Sequence, residues 1–315
     1  MKKALVVGIN SYPSSPLLGC VNDANSFAAT IESDGDGSPN FANILLTCQG
    51  NSVTRATLRE AIEKLFSNAV DMALFYFSGH GFVKSTGGYL VTVDAKKYDE
   101  GVSMDDLLSI ANKSPAKNKI IILDCCHSGA MGNPAVVSNG QASLSEGLSV
   151  LTASRETETA LEINGRGVFT SLVIDGLKGG AADIRGNITP GSLYAYVDEA
   201  LGAWDQRPIF KTNVSRFTPI RKVAPRIPLD VLRQITTYFP TPESEHSLNP
   251  SYEDTDATAN PDNVKIFKVL QKYQSVGLVV PVDAEFMYFA AIHSKSCKLT
   301  AIGYQYWRLV NEKKL

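Results

Sequence analysis

Cysteine is scarce in this chain. Five occur in 315 residues, at 20, 48, 125, 126 and 297, an odd number with no Cys-x-x-Cys pair. That pattern excludes a disulfide framework and a cysteine-rich zinc site, and it fits a reducing, cytoplasmic compartment. Long apolar runs are missing too. None approaches the roughly 18 residues that a membrane span needs, so no membrane is expected among the partners. Lys2-Lys3 ahead of the apolar residues 4–9 imitates a secretory leader, but the run breaks at Asn10-Ser11-Tyr12-Pro13 without a small-residue cleavage pattern. It reads as a first strand. An excess of either charge is also absent: 30 basic against 32 acidic residues leave −2, which argues against a whole-chain binder of nucleic acid or membrane surface. No internal repeat is visible. What is present is core material, 44% hydrophobic against 20% charged, enough for one large domain and a smaller partner.

Residues 5–9, 74–77, 120–123 and 150–152 are continuous apolar runs, the pattern of parallel strands covered on both faces. The spacing predicts helices over 23–32, 54–68, 103–112, 168–177 and 192–201. The third opens on Ser103, a cap, with Asp105 and Asp106 in its first turn. This alternation predicts an α/β fold over 1–221, a mostly parallel sheet flanked by helices. Residues 222–228 read as a basic, proline-punctuated linker and 229–315 as a small α+β domain. In the latter, 240–263 has four prolines, six acids and no Lys or Arg, and is expected to be a mobile, solvated loop. Helices at 229–238, 264–275 and 304–311, with strands at 277–282 and 286–293, complete an order that resembles a winged-helix module. Lys265, Lys268 and Lys272 share one face of the 264–275 helix. A solvated face is the ordinary explanation; on a winged helix the same lysines would meet phosphates.

The chemistry concentrates at two strand ends. Phe75-Tyr76-Phe77-Ser78-Gly79-His80-Gly81 is an apolar run ending in a glycine-flanked histidine, and Ile121-Ile122-Leu123-Asp124-Cys125-Cys126-His127-Ser128-Gly129 is another ending in cysteine. Functional side chains of open parallel sheets lie at the carboxyl ends of strands, so a thiol and an imidazole can face one scissile carbonyl. A thiol of pKa ~8.5 is mostly protonated at neutral pH and needs a base beside it. Taken singly, a histidine after a strand is more often structural, and a buried cysteine is a small hydrophobe. Cys125 and Cys48 read as packing, with Cys125 facing away from Cys126. His127 reads as pointing away from the chemistry. Asp23 could be a helix-capping residue, and Asp34-Gly35-Asp36-Gly37 lacks the closing glutamate of a calcium loop and reads as a turn.

Those two segments, with Gly19-Cys20-Val21-Asn22-Asp23-Ala24 after the first strand and Gln206-Arg207-Pro208 near residue 220, resemble the caspase-fold cysteine peptidases, specifically the metacaspase-like branch of prokaryotic type. The matches run in the family's order over residues 3–220. The resemblance implies His80 as general base and acid, Cys126 as nucleophile, and the backbone N–H groups of Gly81 and Cys126 as the oxyanion site. It implies a pocket for a basic residue from Cys20, Asp23, Ser78 and Asp124, hence protein substrates cut after Arg or Lys. Asp94, Asp105 and Asp106 resemble three acids of that branch's calcium site, whose fourth position falls near Asn133. Losing one carboxylate weakens a hard-cation site, so no cofactor is required, with calcium the one candidate. Residues 131–147 contain no Lys or Arg, so an enzyme of this specificity cannot cut itself there, whereas Arg216, Arg221, Lys222 and Arg226 cluster at the junction. The C-terminal module is expected to bind an activating protein, with nucleic acid the other partner class. The architecture is similar to caspase-like effectors of microbial immune and cell-death systems. The rival reading, from another class, is a DNA- or partner-binding regulator with the caspase-like domain as scaffold.

Overall fold

Lys2 and Lys3 lead into five buried residues, and this run forms the strand β1 (Lys2–Gly8). The computed structural model describes residues 1–47, 53–84, 87–125, 143–153, 166–201 and 208–315, with the backbone of 162–163. Cys48, Cys126, His127, Asn133, Gln206, Arg207 and the cut-free loop from 131 to 142 lie outside those residues. Contacts divide the chain into two units, Met1–Ala224 and Pro225–Leu315.

In the first unit β1 is followed by α1 (Cys20–Ile31), β2 (Phe41–Thr47), α2 (Arg55–Phe66) and β3 (Met72–Ser78). Three antiparallel strands, β4 (Gly81–Lys84), β5 (Gly87–Lys96) and β6 (Asp99–Ser103), precede α3 (Met104–Lys113), β7 (Asn118–Asp124) and β8 (Leu148–Thr152). A two-stranded ribbon, β9 (Glu162–Ile163) and β10 (Arg166–Gly167), runs into α4 (Val168–Asp175). The unit ends with β11 (Asn187–Ile188), α5 (Pro190–Leu201), β12 (Ile209–Asn213) and β13 (Arg221–Lys222). The main sheet has the order β12-β8-β7-β3-β1-β2, parallel throughout except for β12. It is the mostly parallel α/β sheet that the alternation predicts.

Period-2 alternation sorts each central strand into two faces. Leu5, Val7, Phe75, Phe77, Ile121 and Leu123 pack with α2 and α3. Val6, Leu74, Tyr76, Ile120 and Ile122 pack with α1, α4 and α5. The same parity sends Ser78 and Asp124 toward α1 and α4, and Cys125 toward α2 and α3. Lys222, expected in the linker, belongs to the first unit. Its N–H donates to Asp34 Oδ1 at 2.8 Å, its carbonyl accepts from Gly35 N–H at 2.7 Å, and Arg221 donates to the carbonyls of Ser33 and Leu177. The Asp34–Gly37 stretch is thus a turn that anchors β13; the Gly37 N–H donates to the Asp34 carbonyl at 3.0 Å.

The second unit contains α6 (Leu229–Arg233), α7 (Ile235–Tyr238), β14 (Glu245–Ser247), α8 (Pro261–Ser275), β15 (Val279–Val282), α9 (Met287–Ile292), β16 (Ser296–Leu299) and α10 (Ala301–Asn311). Its antiparallel sheet has the order β14-β16-β15. Two expectations are corrected here. Residues 286–293 form a helix and not a strand: Met287, Ala290 and Ala291 are buried at helical spacing, while Phe286, Tyr288 and Phe289, whose aromatic character favours a strand, stay exposed. The second hairpin strand falls at β16. Residues 240–263 are mostly exposed, as expected of a solvated segment, but they carry local structure in place of a structureless loop. His246 bonds the Tyr238 carbonyl and the Tyr252 hydroxyl, both at 3.2 Å, Leu248 is buried, and the Asn260 side chain caps α8. The acids and asparagines there make local turns, as Asp256 does with Thr258.

Candidate active site

The strand β3 ends at Ser78, and Gly79-His80-Gly81 turns the chain into β4. A side chain at position 79 does not fit: its Cβ would lie 2.5 Å from the Tyr12 hydroxyl and 2.9 Å from the Phe77 ring. His80 is held from two sides. Its Nε2 is 2.7 Å from the Ser15 carbonyl, which can only accept, so Nε2 carries the proton and the neutral ring keeps a lone pair at Nδ1. Its backbone N–H donates to the Tyr12 hydroxyl at 2.9 Å, and the Tyr12 O–H donates to the Val91 carbonyl at 3.2 Å. The Tyr12 ring lies 4.5 Å from the imidazole, centroid to centroid.

Neither Tyr12 nor Ser15 stands among the expected site residues. Ser15 acts through a backbone carbonyl, which no side-chain pattern marks. Tyr12 had one signal, an aromatic inside the polar break after β1. Replacing it should matter. Tyr12→Phe keeps the ring contact but removes the acceptor for the His80 N–H and the tie to β5, and kcat on a peptide substrate should fall about 10-fold with KM nearly unchanged. An unchanged kcat in steady-state kinetics would show that the imidazole is positioned without Tyr12.

On the α1 and α4 side, the structure brings the four expected pocket residues together. Cys20, Asp23, Ser78 and Asp124 are all buried, the two carboxylates at 2% and 6% exposure. Ser78 and Asp124 are register partners on adjacent parallel strands. Asp23 Oδ2 accepts from the Gly167 N–H at 2.9 Å and Asp124 Oδ2 from the Thr170 hydroxyl at 2.6 Å. Both oxygens flank one point: a Cβ at Gly167 would lie 2.5 Å from Asp124 Oδ2 and 3.1 Å from Asp23 Oδ2. Only glycine fits there. Behind them the Tyr76 hydroxyl bonds Thr170 Oγ1 at 2.5 Å, and burial, then the Asp124 and Asp23 carboxylates, hold its phenol well above the ordinary range. Tyr76 therefore remains a donor to Thr170, and Thr170 a donor to Asp124. Asp23 also lines a cavity of about 130 Å³ shared with Ser26, Arg166, Asp175 and Lys178.

Cys126 lies outside the described residues. Cys125 is 1% exposed and packs on the α2 and α3 side, as strand parity requires. Cys297 is no rival nucleophile, because burial and then Glu245 push its thiol up to about 12. Gly81 opens β4 opposite Leu90. The expected calcium acids are not assembled. Asp106 pairs with Arg59 at 2.7 Å, Asp94 accepts from Thr92 at 2.7 Å and from the Arg55 N–H at 2.9 Å, and the Asp105 carboxyl is raised by burial and then by the neighbouring Asp106. Among the described residues no group of three or more His, Cys, Asp or Glu can hold a metal ion. Asp106 is thus already engaged by a guanidinium, and the fourth expected position, near Asn133, lies outside the described residues.

A mostly parallel sheet thus carries a hydrogen-bonded imidazole just past the end of one strand, with a cysteine in sequence just past the end of the next. The family follows from comparison: residues 1–293 match the model of the caspase domain, and the chain belongs to that family. Membership supports a cysteine peptidase acting on protein substrates. Among solved structures, a protein from Geobacter sulfurreducens is similar in fold, with TM-score 0.52 and 18% identity over 71% of this chain and 98% of that one. Caspase-1 from Spodoptera frugiperda aligns with TM-score 0.49 and 14% identity over 70% of this chain and 90% of that one. No curated protein sequence matches. Among the described residues no helix is long and apolar enough to cross a membrane.

Proposed function

We propose that the chain is a metacaspase-like Cys-His endopeptidase that cuts protein substrates after Arg or Lys. One observation carries the specificity: two buried carboxylates, Asp23 and Asp124, converge at the ends of the strands that carry the catalytic segments. A carboxylate pair at the base of a pocket favours a guanidinium or ammonium through charge-assisted hydrogen bonds. The register supports the pairing of His80 with Cys126. Each follows its strand end by two residues, and Ser78 and Asp124 are partners on strands about 4.8 Å apart.

In the proposed reaction Nδ1 of His80 takes the proton of the Cys126 thiol. The sulfur attacks the scissile carbonyl carbon, forming a C–S bond, while the backbone N–H groups of Gly81 and Cys126 stabilise the oxyanion. The imidazolium returns its proton to the leaving nitrogen as the C–N bond breaks. Water, deprotonated by His80, then hydrolyses the thioester and regenerates the thiol. No metal enters these steps.

For the second unit we propose a winged-helix-like regulatory module that binds an activating protein. Its antiparallel sheet of order β14-β16-β15, with β14 ahead of α8 and the paired strands β15 and β16 after it, supports that reading; α9 lies between those last two strands. Lys265 and Lys268 pair with Asp262 at 3.2 Å and Asp254 at 3.4 Å, which favours a solvated face over a phosphate-binding one. A role as a cytoplasmic effector of a microbial immune or cell-death system rests on the architecture alone.

The test is a panel of fluorogenic peptides that differ only in the residue before the reporter. Arg and Lys substrates should exceed Asp, Leu and Gln by at least about 100-fold in kcat/KM. Equal rates across the panel, or a preference for Asp, would remove the basic specificity.

A further inference from the structure

A cavity lined by His80 and Gly81 extends away from the carboxylate pair, and most of its lining has no role in the reaction above. It measures about 670 Å³, within the roughly 300–1,000 Å³ of ordinary ligand sites. Its floor is Tyr12, Val91 and Val93, and the exposed ring of Phe82, with the ring of Tyr98, forms part of its walls. Tyr12 and Val93 belong to the core on the α2 and α3 face. The carboxylate pair lies on the opposite face, with Tyr76 and α1. His80 stands between the two, at the carboxyl edge of the sheet.

This placement gives the cavity a direction along the substrate, provided the Cys-His peptidase reading holds. The general acid must reach the leaving nitrogen, so the residue attached to that nitrogen, the one after the cut, sits beside the imidazole. The residue before the cut reaches the carboxylates on the other face. An extended peptide advances about 3.3 Å per residue, so one or two steps past the cut lead over the cavity.

Charge around the rim completes the description. Lys84, Lys96 and Lys97 line it against one acid, Glu100. Lys84 pairs with Glu100 and lies 5.2 Å from the centroid of the Tyr98 ring, and Lys97 lies 5.1 Å from the same centroid. The net excess is positive, from Lys96 and Lys97, both exposed. We propose that this cavity is a leaving-group-side specificity site, which takes a large apolar residue directly after the cut and favours Asp or Glu one or two positions further on. The floor excludes water from the apolar side chain, and the rim cations meet the acid. The enzyme therefore selects a junction, a basic residue followed by an apolar and then an acidic one, and not a basic residue alone.

Internally quenched peptides identical through the Arg test this, with Leu, Gly or Lys placed after the cut and Asp or Lys placed next. Leu over Gly should raise kcat/KM about 10-fold, and Asp over Lys about 5-fold, in the wild type. Two variants read the two halves separately, each as a ratio within one enzyme. Phe82→Ser should shrink the Leu-to-Gly ratio toward 1, and the exposed pair Lys96→Glu with Lys97→Glu should reverse the Asp-to-Lys ratio. An Arg-aminocoumarin amide, which carries no peptide beyond the cut, separates the failures. If the amide is hydrolysed and the quenched peptides show flat ratios, the subsite is overturned and the peptidase reading stands. If neither is hydrolysed, both fall.

Discussion

Cys126→Ala abolishes hydrolysis of an Arg-ended peptide, and His80→Ala lowers it by at least about 10⁴-fold, with no large change in melting temperature. The size follows from the roles. Without the imidazole only a few per cent of the thiol is ionised at pH 7, and nothing protonates the leaving nitrogen. Without the sulfur there is no acyl-enzyme. Because the two act as a unit, the double variant should be about as slow as either single one. Stability should hold, since His80 is only partly buried and its bonds are to the Ser15 carbonyl and the Tyr12 hydroxyl. Side-by-side steady-state assays and thermal melts check both statements. Retention of more than about one per cent of wild-type activity by either variant would mean that the reacting groups lie elsewhere.

The second large effect concerns the carboxylates. Asp124→Asn and Asp23→Asn should each lower kcat/KM for Arg substrates about 100-fold, while neutral substrates gain or stay equal. A hydrogen bond to a charged group is worth about 1.5–3 kcal/mol, which converts to roughly 10- to 150-fold. Asparagine keeps an acceptor for the Thr170 hydroxyl or the Gly167 N–H, so the frame survives and only the charge is lost. Gly167→Ala should differ from both, because its Cβ collides with the two oxygens. If both asparagine variants keep the Arg preference, the basic residue is read by another part of the chain.

Much of this site was legible because strand parity is strict. Asp124 and Ser78 lie an even number of residues from Ile122 and Tyr76, so one face collects them with Asp23, and Cys125 goes to the other face. The apolar runs announced β1, β3, β7 and β8 in the same way. Strands lacking that signature were harder to see. The edge strand β2 leaves Ile44 and Leu45 exposed, at 40% and 42%, while β4 and β6 are short and β5 opens on two glycines. The Ser15 carbonyl could not be read at all, since any residue supplies one. Composition misled at 240–263, where Pro, Asn and Asp make turns that bury Leu248 and Tyr252. Aromatic propensity misled at 286–293, where burial at 287, 290 and 291 favours a helix. Among the acids expected at calcium, Arg59 is a partner of Asp106 that spacing did not reveal.

The central claim is cleavage after basic residues by Cys126 and His80. Its most direct measurement compares the new protein N-termini generated in a cell lysate by the wild type and by Cys126→Ala. The account predicts a set of termini unique to the wild type, nearly all preceded by Arg or Lys. Identical sets from the two proteins, or wild-type termini preceded mainly by residues other than Arg and Lys, would contradict it.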